Sequence, residues 1–431
     1  MTITQFPPLG SSSSSAITAQ ISQFTGNTVD AFGRLRVSQP FTLFDSQSRF
    51  AADAAFSFAT ATGGTATYVT NQSAVALSVT TTSGSHVLSQ SYRVFPYQPG
   101  KSLLTLQTFS MASARTNLTQ RVGYYSAYNG AYLEQAGSQV SFVIRTYTSG
   151  SVDNSRFVTQ ANWNVDKFNG TGPSGVTLDL TKTQIMFMSF EWLGVGNVQI
   201  GFVVNGVLYT AHVFQNANIQ TKVYMQTAIL PLRYEILTTG TTSSAATLQQ
   251  ICATVISEGG YEQISQPYLA RASGNGVTIA NNTGLTFTPL VSIRINSSYY
   301  GTVIIPSTVN FLPTASGNYE VVLIKNATLT GATWAAGAVS GGQVDVDTAA
   351  TACTASIDNI VQSDFTASTN QATQNVLAPT GYNFDLQLGL TASLSGNGFG
   401  ASDTMTVAVR GLNNSPTGAG IATLQFYNLT V

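Results

Sequence analysis

Hydrophobic and polar residues alternate along most of this chain with the period of two that a half-buried β-strand imposes. The clearest stretch is residues 184–192, where Met186, Met188, Phe190 and Trp192 share one face. The other face starts apolar at Ile185 and Phe187 and turns polar at Ser189 and Glu191. Residues 198–204 and 207–214 follow, joined by Asn205-Gly206, a dipeptide that favours a type I′ hairpin turn. The three segments predict an antiparallel meander. A second tight hairpin is predicted at Asn129-Gly130, between residues 123–128 and 131–133, and residues 139–147 are β-branched and aromatic. Residues 248–256 have a spacing that also fits a helix, but their Thr and Val content and strand-rich setting favour a strand. Further on, residues 291–295, 299–305, 319–324, 342–347, 384–390, 405–409 and 422–429 read as strands between Gly, Asn and Ser turns.

This pattern predicts an all-β chain: an extended N-terminal arm over residues 1–50, then two β-sandwich domains over 51–262 and 263–431. The arm is polar at first, with Pro7-Pro8 and the run Ser11–Ser15 opposing regular structure. Such a segment buries too little apolar surface to fold alone, so a neighbouring subunit is expected to hold it. Its second half gathers Phe32, Leu35, Phe41 and Phe44 with Arg34 and Arg36. The alternation Arg34-Leu35-Arg36-Val37 predicts a short strand, which Pro40 ends or confines to an edge.

Composition narrows the function. Of 431 residues only 8% are charged, against about 25% in ordinary soluble domains, while 43% are hydrophobic. Neutral polar residues and 38 glycines have taken the place of charge. Disorder, which pairs low hydrophobicity with high charge, is excluded, as is a coiled coil. With 17 Lys and Arg against 18 Asp and Glu, phosphate neutralisation is no basis for binding, and no nucleic-acid partner is expected. No apolar run is long enough to cross a membrane as a helix, and MTITQFPPLGSSSSS has neither the basic nor the apolar part of a signal peptide, so no membrane insertion is expected. Cys252 and Cys353 are expected to be free thiols packed as small hydrophobes.

Candidate chemistry is sparse. His86 and His212 are the sole histidines, no G-x-S-x-G elbow occurs, and Gly194-Val195-Gly196 lacks the third glycine of a dinucleotide loop. Neither metal nor cofactor is expected, and the chain reads as no enzyme. Glycoside hydrolysis would need two carboxyls about 5–10 Å apart, and Glu191, between Phe190 and Trp192, is the most notable one. Strand alternation turns it outward instead. Asp345 and Asp347 share a strand face, as a calcium pair or, in preference, as solvated charges guarding a sheet edge. Tyr124, Tyr128 and Tyr132, around Asn129-Gly130, are candidate glycan contacts, with cross-strand packing as the competing account.

The segment Asp30–Gln47, DAFGRLRVSQPFTLFDSQ, resembles one near the N-terminus of structural proteins of tailed bacteriophages. Phe32–Ser38 and Leu43-Phe44-Asp45 carry the likeness, and the stretches Met188–Gly196 and Ile256–Tyr261 are also similar to such proteins. The resemblance covers roughly residues 30–262 and implies a concanavalin-like jelly roll in a virion protein assembled in the host cytoplasm. Expected partners are tail, baseplate or capsid subunits, with self-association as a homo-oligomer such as a trimer and a host-surface glycan as ligand. The leading expectation is a non-enzymatic component of the tail, baseplate or fibre, docked through Phe32, Arg34, Leu35, Arg36, Phe41 and Phe44. The alternatives are a capsid decoration (cement) protein and a glycan-binding or glycan-degrading adhesin.

Overall fold

A computed structural model of the chain describes residues 39–262, 264–272, 274, 276–368, 374–377, 384–412 and 418–430. Among them the regular structure is antiparallel β-strand with a few 3-10 turns and no α-helix. The fold class read from the sequence, all-β with jelly-roll-like sandwiches, is the one observed.

The first sandwich pairs an eight-stranded with a seven-stranded sheet. The larger runs Val207–Phe214, Val198–Val204, Gln184–Phe190, Leu103–Ser110, Ala246–Ser257, Ala74–Val79, Thr65–Val69, with Phe41–Gln47 added beside Ala246–Ser257. The smaller runs Asp153–Thr159, Gln139–Thr146, Gly130–Ala136, Leu118–Tyr125, Leu232–Thr238, His86–Ser91, Phe56–Ala61. Alternate residues face inward, as the pleat demands. Met186, Met188 and Phe190 from one sheet meet Val122, Tyr124 and Phe142 from the other in a single buried core. Each large side chain so buried contributes roughly 1.5–3 kcal/mol.

The second sandwich is built the same way. A five-stranded sheet centred on Ala419–Asn428 and Ile304–Pro313 faces an eight-stranded one centred on Thr286–Ile295, Thr404–Leu412 and Gly317–Lys325. Phe426, Leu424 and Phe311 pack there against Ile293, Val321 and Val407. A hairpin, Leu390–Ala392 with Phe399–Ser402, leaves this unit and lies on the first sandwich against His86–Ser91 and Phe56–Ala61. The Leu390 amide donates to the Tyr92 carbonyl at 2.8 Å, and the Ala392 amide to Ser57 Oγ at 2.5 Å.

Asn205-Gly206 makes the expected two-residue turn, with both residues at positive φ (52° and 79°) and Val204 opposite Val207. Residues 246–257 are a strand. Other expectations need correction. The Asn129-Gly130 hairpin has a four-residue loop, because Gly130 already pairs with Tyr125 as the first residue of its strand. At φ 135°, a Cβ on Gly130 would meet Tyr125 Cα at 2.3 Å, so the glycine serves close approach between strands. Residues 297–299 and 384–386 are 3-10 turns. The described part of the N-terminal arm is no free arm, since residues 41–47 form a strand of the first sandwich.

Candidate functional site

Phe32, Arg34, Leu35 and Arg36 lie outside the described residues. The other two expected anchor residues sit in the strand Phe41–Gln47, which pairs from Phe41 opposite Ser257 to Gln47 opposite Cys252 with a bulge between Thr42 and Phe44. Phe44 faces the core, its ring 5.0 Å from Phe95 and 5.9 Å from Phe56. It is therefore a core residue and not a docking contact. Phe41 is 40% exposed and touches Tyr261 and Phe384, with ring centroids at 5.8 and 6.2 Å. Three remote segments thus meet at one aromatic patch: the entering strand, the link between sandwiches and the turn Phe384–Leu386.

The outward face of the seven-stranded sheet carries a charged lattice. Arg121 donates to Glu134 at 2.7 Å and to Glu235 at 2.9 Å. His86 meets the other oxygen of Glu235, Oε1, at 2.8 Å, and Tyr125 Oη donates at 3.0 Å to Oε2, the oxygen that Arg121 holds. Burial alone would raise the Glu235 pKa, but Arg121 and then His86 hold the carboxyl well below its usual range. It is a fixed anion, not a proton donor. Tyr132 is 1% exposed on this face, 4.6 Å from Tyr125, with its Oη accepting from Arg145 at 3.1 Å. Tyr124 points the other way, into the core, donating to the Ala228 carbonyl and accepting from the Leu230 amide. Both tyrosines are corrected as glycan contacts, because neither presents a ring to solvent.

At the edge of the lattice, Arg233 joins the two sandwiches. It is 3% exposed, and donates to Gln90 Oε1 at 2.8 Å and to the Gly398 carbonyl of the second unit at 3.0 Å. Its guanidinium lies 5.5 Å from the Tyr125 ring and 6.0 Å from Phe399. Burial draws its pKa down to about 10 against the pull of Tyr125 and Glu235. Gly398, at φ 82°, cannot be replaced cheaply, since a Cβ there would meet Arg233 Nη2 at 2.3 Å. Sequence reasoning passed over Arg233 and Glu235. Their signal was the alternation Leu232-Arg233-Tyr234-Glu235-Ile236, which places two charges on one face of a short strand.

Tyr128 alone of the three tyrosine candidates reaches a cleft. It stacks on Tyr147 at 4.3 Å and lines a space of about 430 Å³ between the sandwiches. Tyr299, Tyr300, Phe399, Asn397 and Gln343 line the far side. Elsewhere, Glu191 is exposed as alternation requires, in a shallow depression with Lys101 whose lining holds no second carboxyl. Asp345 and Asp347 are neither a calcium pair nor solvated edge charges. Both are buried, Asp345 accepting from Arg294, Asn296 and the Gly337 amide. Asp347 accepts from the backbone amides of Thr333, Ala349 and Ala350. Cys353 is buried, which pushes its thiol up to about 12, whereas Cys252 is exposed and so is not packed as a core hydrophobe.

No family model matches this chain, and no curated protein matches it. Solved structures similar in fold each cover about half of it. They include a β-1,3-1,4-glucanase (lichenase) derived from a mouse hindgut metagenome, at 10% identity and TM-score 0.32 over 51% of this chain and 99% of the other. A carbohydrate esterase of the Shiga toxin-encoding bacteriophage phi24B reaches 11% and 0.32 over 51% and 99%. The CBM2 module of the evolved Dit protein of Lactobacillus casei BL23 phage J-1 reaches 6% and 0.32 over 53% and 100%. At such identities the likeness concerns the fold alone. It still overturns the expectation of a chain that is no enzyme: lichenase and esterase stand beside a binding module, so a sandwich of this kind gives no ground for excluding catalysis, and that exclusion is withdrawn.

Proposed function

We propose that this chain is a structural component of a tailed-phage virion. It attaches in the tail through its N-terminal segment and displays its paired sandwiches to glycans of the host surface, as a homo-oligomer. The observation that carries the reading is the strand Phe41–Gln47. The segment resembling phage structural proteins ends in a strand paired along Ala246–Ser257, inside the larger sheet. A tether that continues into a sheet passes its attachment directly to the body of the protein. Arg34 and Arg36 then pair with carboxylates or carbonyls of the neighbouring subunit, a task that suits the planar guanidinium. The low charge of the chain fits large interfaces, whose centres are poor in charge.

The test is assembly of virions carrying Arg34→Ala with Arg36→Ala. The expected result is virions lacking this chain, while the purified variant melts at the wild-type temperature. Normal incorporation of the double variant rejects the tether.

A further inference from the structure

We infer that the cleft between the two sandwiches is a binding site for an uncharged saccharide. The inference rests on the glycan-displaying half of the proposed function and names its site.

One wall comes from the first sandwich, through Ser126, Tyr128, Thr227 and Ile229. The other comes from the second, through Tyr299, Tyr300, Thr302, Gln343, Asn397 and Phe399. No lining side chain carries a charge. Arg233, behind Phe399, already donates to Gln90 and to Gly398. Sulfated, phosphorylated and sialylated ligands would therefore enter without a counter-charge and lose hydration uncompensated. Apolar ligands fit poorly as well, since hydroxyls and amides interrupt the walls.

A neutral pyranose matches both features. Its C–H faces pack on aromatic rings, and its hydroxyls exchange hydrogen bonds with amides and hydroxyls. The rings are placed for this. Tyr128 leans on Tyr147, and Tyr300 meets Phe399 edge-on at 6.5 Å, so these rings are ordered before a ligand arrives. Tyr299 is 44% exposed at the mouth. Gln343 accepts at Oε1 from Asn428 Nδ2 at 2.8 Å, which fixes its amide plane and leaves its Nε2 donor for a sugar oxygen. Asn397 likewise spends Oδ1 on the Phe399 amide and keeps its NH₂ group. The volume suits a mono- or disaccharide.

The experiment is a glycan array probed with the full chain, followed by titration of the best glycan against wild type, Tyr299→Ala and Tyr128→Ala. Incorporation into virions is scored separately. The expected result is an uncharged glycan on the array, with affinity lowered at least about tenfold in each variant. Binding of an uncharged glycan equally by all three proteins overturns the cleft and leaves the displayed-glycan reading standing. Binding confined to sialylated or sulfated glycans overturns the uncharged class. No glycan bound, with normal incorporation, overturns the cleft and the glycan half of the function together, and leaves the tether. Both tyrosines are partly exposed, so melting temperatures within a few degrees of wild type are expected and check that folding is intact.

Discussion

His212 couples this fold to pH through one ring. It is buried against Phe214, at 4.4 Å between ring centroids, and its Nδ1 accepts from the Asn164 amide. Burial, aided by Arg156, lowers its pKa from 6.5 to about 4. The unfolded chain therefore takes up a proton that the folded chain refuses. Stability from this group is full above pH 6.5 and is lost as pH falls from 6.5 towards 4. His212→Asn should flatten that part of the curve whatever it does to the absolute melting temperature. Thermal melts between pH 4 and 7 decide it, and an unchanged slope in the variant refutes the coupling. At this scale the sequence was legible where alternation alone sets a side chain's direction, as for Glu191. It was misleading where the backbone of surrounding loops supplies the partners. The amides that bury Asp345 and Asp347 belong to residues 333–350, and no local pattern announces them.

The strand Phe41–Gln47 shows the same division for an element. Its apolar residues were visible, but the choice between docking and core was not, because that choice depends on Ala246–Ser257, two hundred residues further on. Phe44 and Phe41 now separate experimentally. Phe44→Ala removes a ring lodged among Phe56 and Phe95 and should cost about 3–5 kcal/mol. Phe41→Ala, at a half-exposed patch, should cost less than about 1.5 kcal/mol. Denaturant titration of both variants measures the difference, and equal costs would contradict the assignment of Phe44 to the core. The meander that turns at Asn205-Gly206 was readable, apart from a first strand that stops at Phe190, since a turn dipeptide and clean alternation are local properties.

For the molecule as a whole, the joint between sandwiches was the least legible feature. The hairpin Leu390–Ala392 with Phe399–Ser402 covers a sheet face that alternation alone would assign to solvent. Hence Arg233 is buried although it points away from the core, held under Gly398 and Phe399 of that hairpin. Arg233→Ala leaves Gln90 Oε1 and the Gly398 carbonyl without this donor, at about 1–3 kcal/mol each. Scanning calorimetry should then change from one transition to two, as the sandwiches melt apart. A single transition in the variant would mean that Val94, Val303 and Ile305, packed across the same joint, suffice to hold it.

The entry strand has a mechanical meaning as well. Under the proposed attachment, a pull on the N-terminal segment would enter the described fold through residue 41. The strand runs antiparallel to Ala246–Ser257, paired from Phe41 to Gln47. A pull along its axis loads those hydrogen bonds side by side, so they yield together in shear, not singly as in a peeled zipper. Such a pull would pass into Ala246–Ser257, an interior strand of the eight-stranded sheet, and not into a free edge.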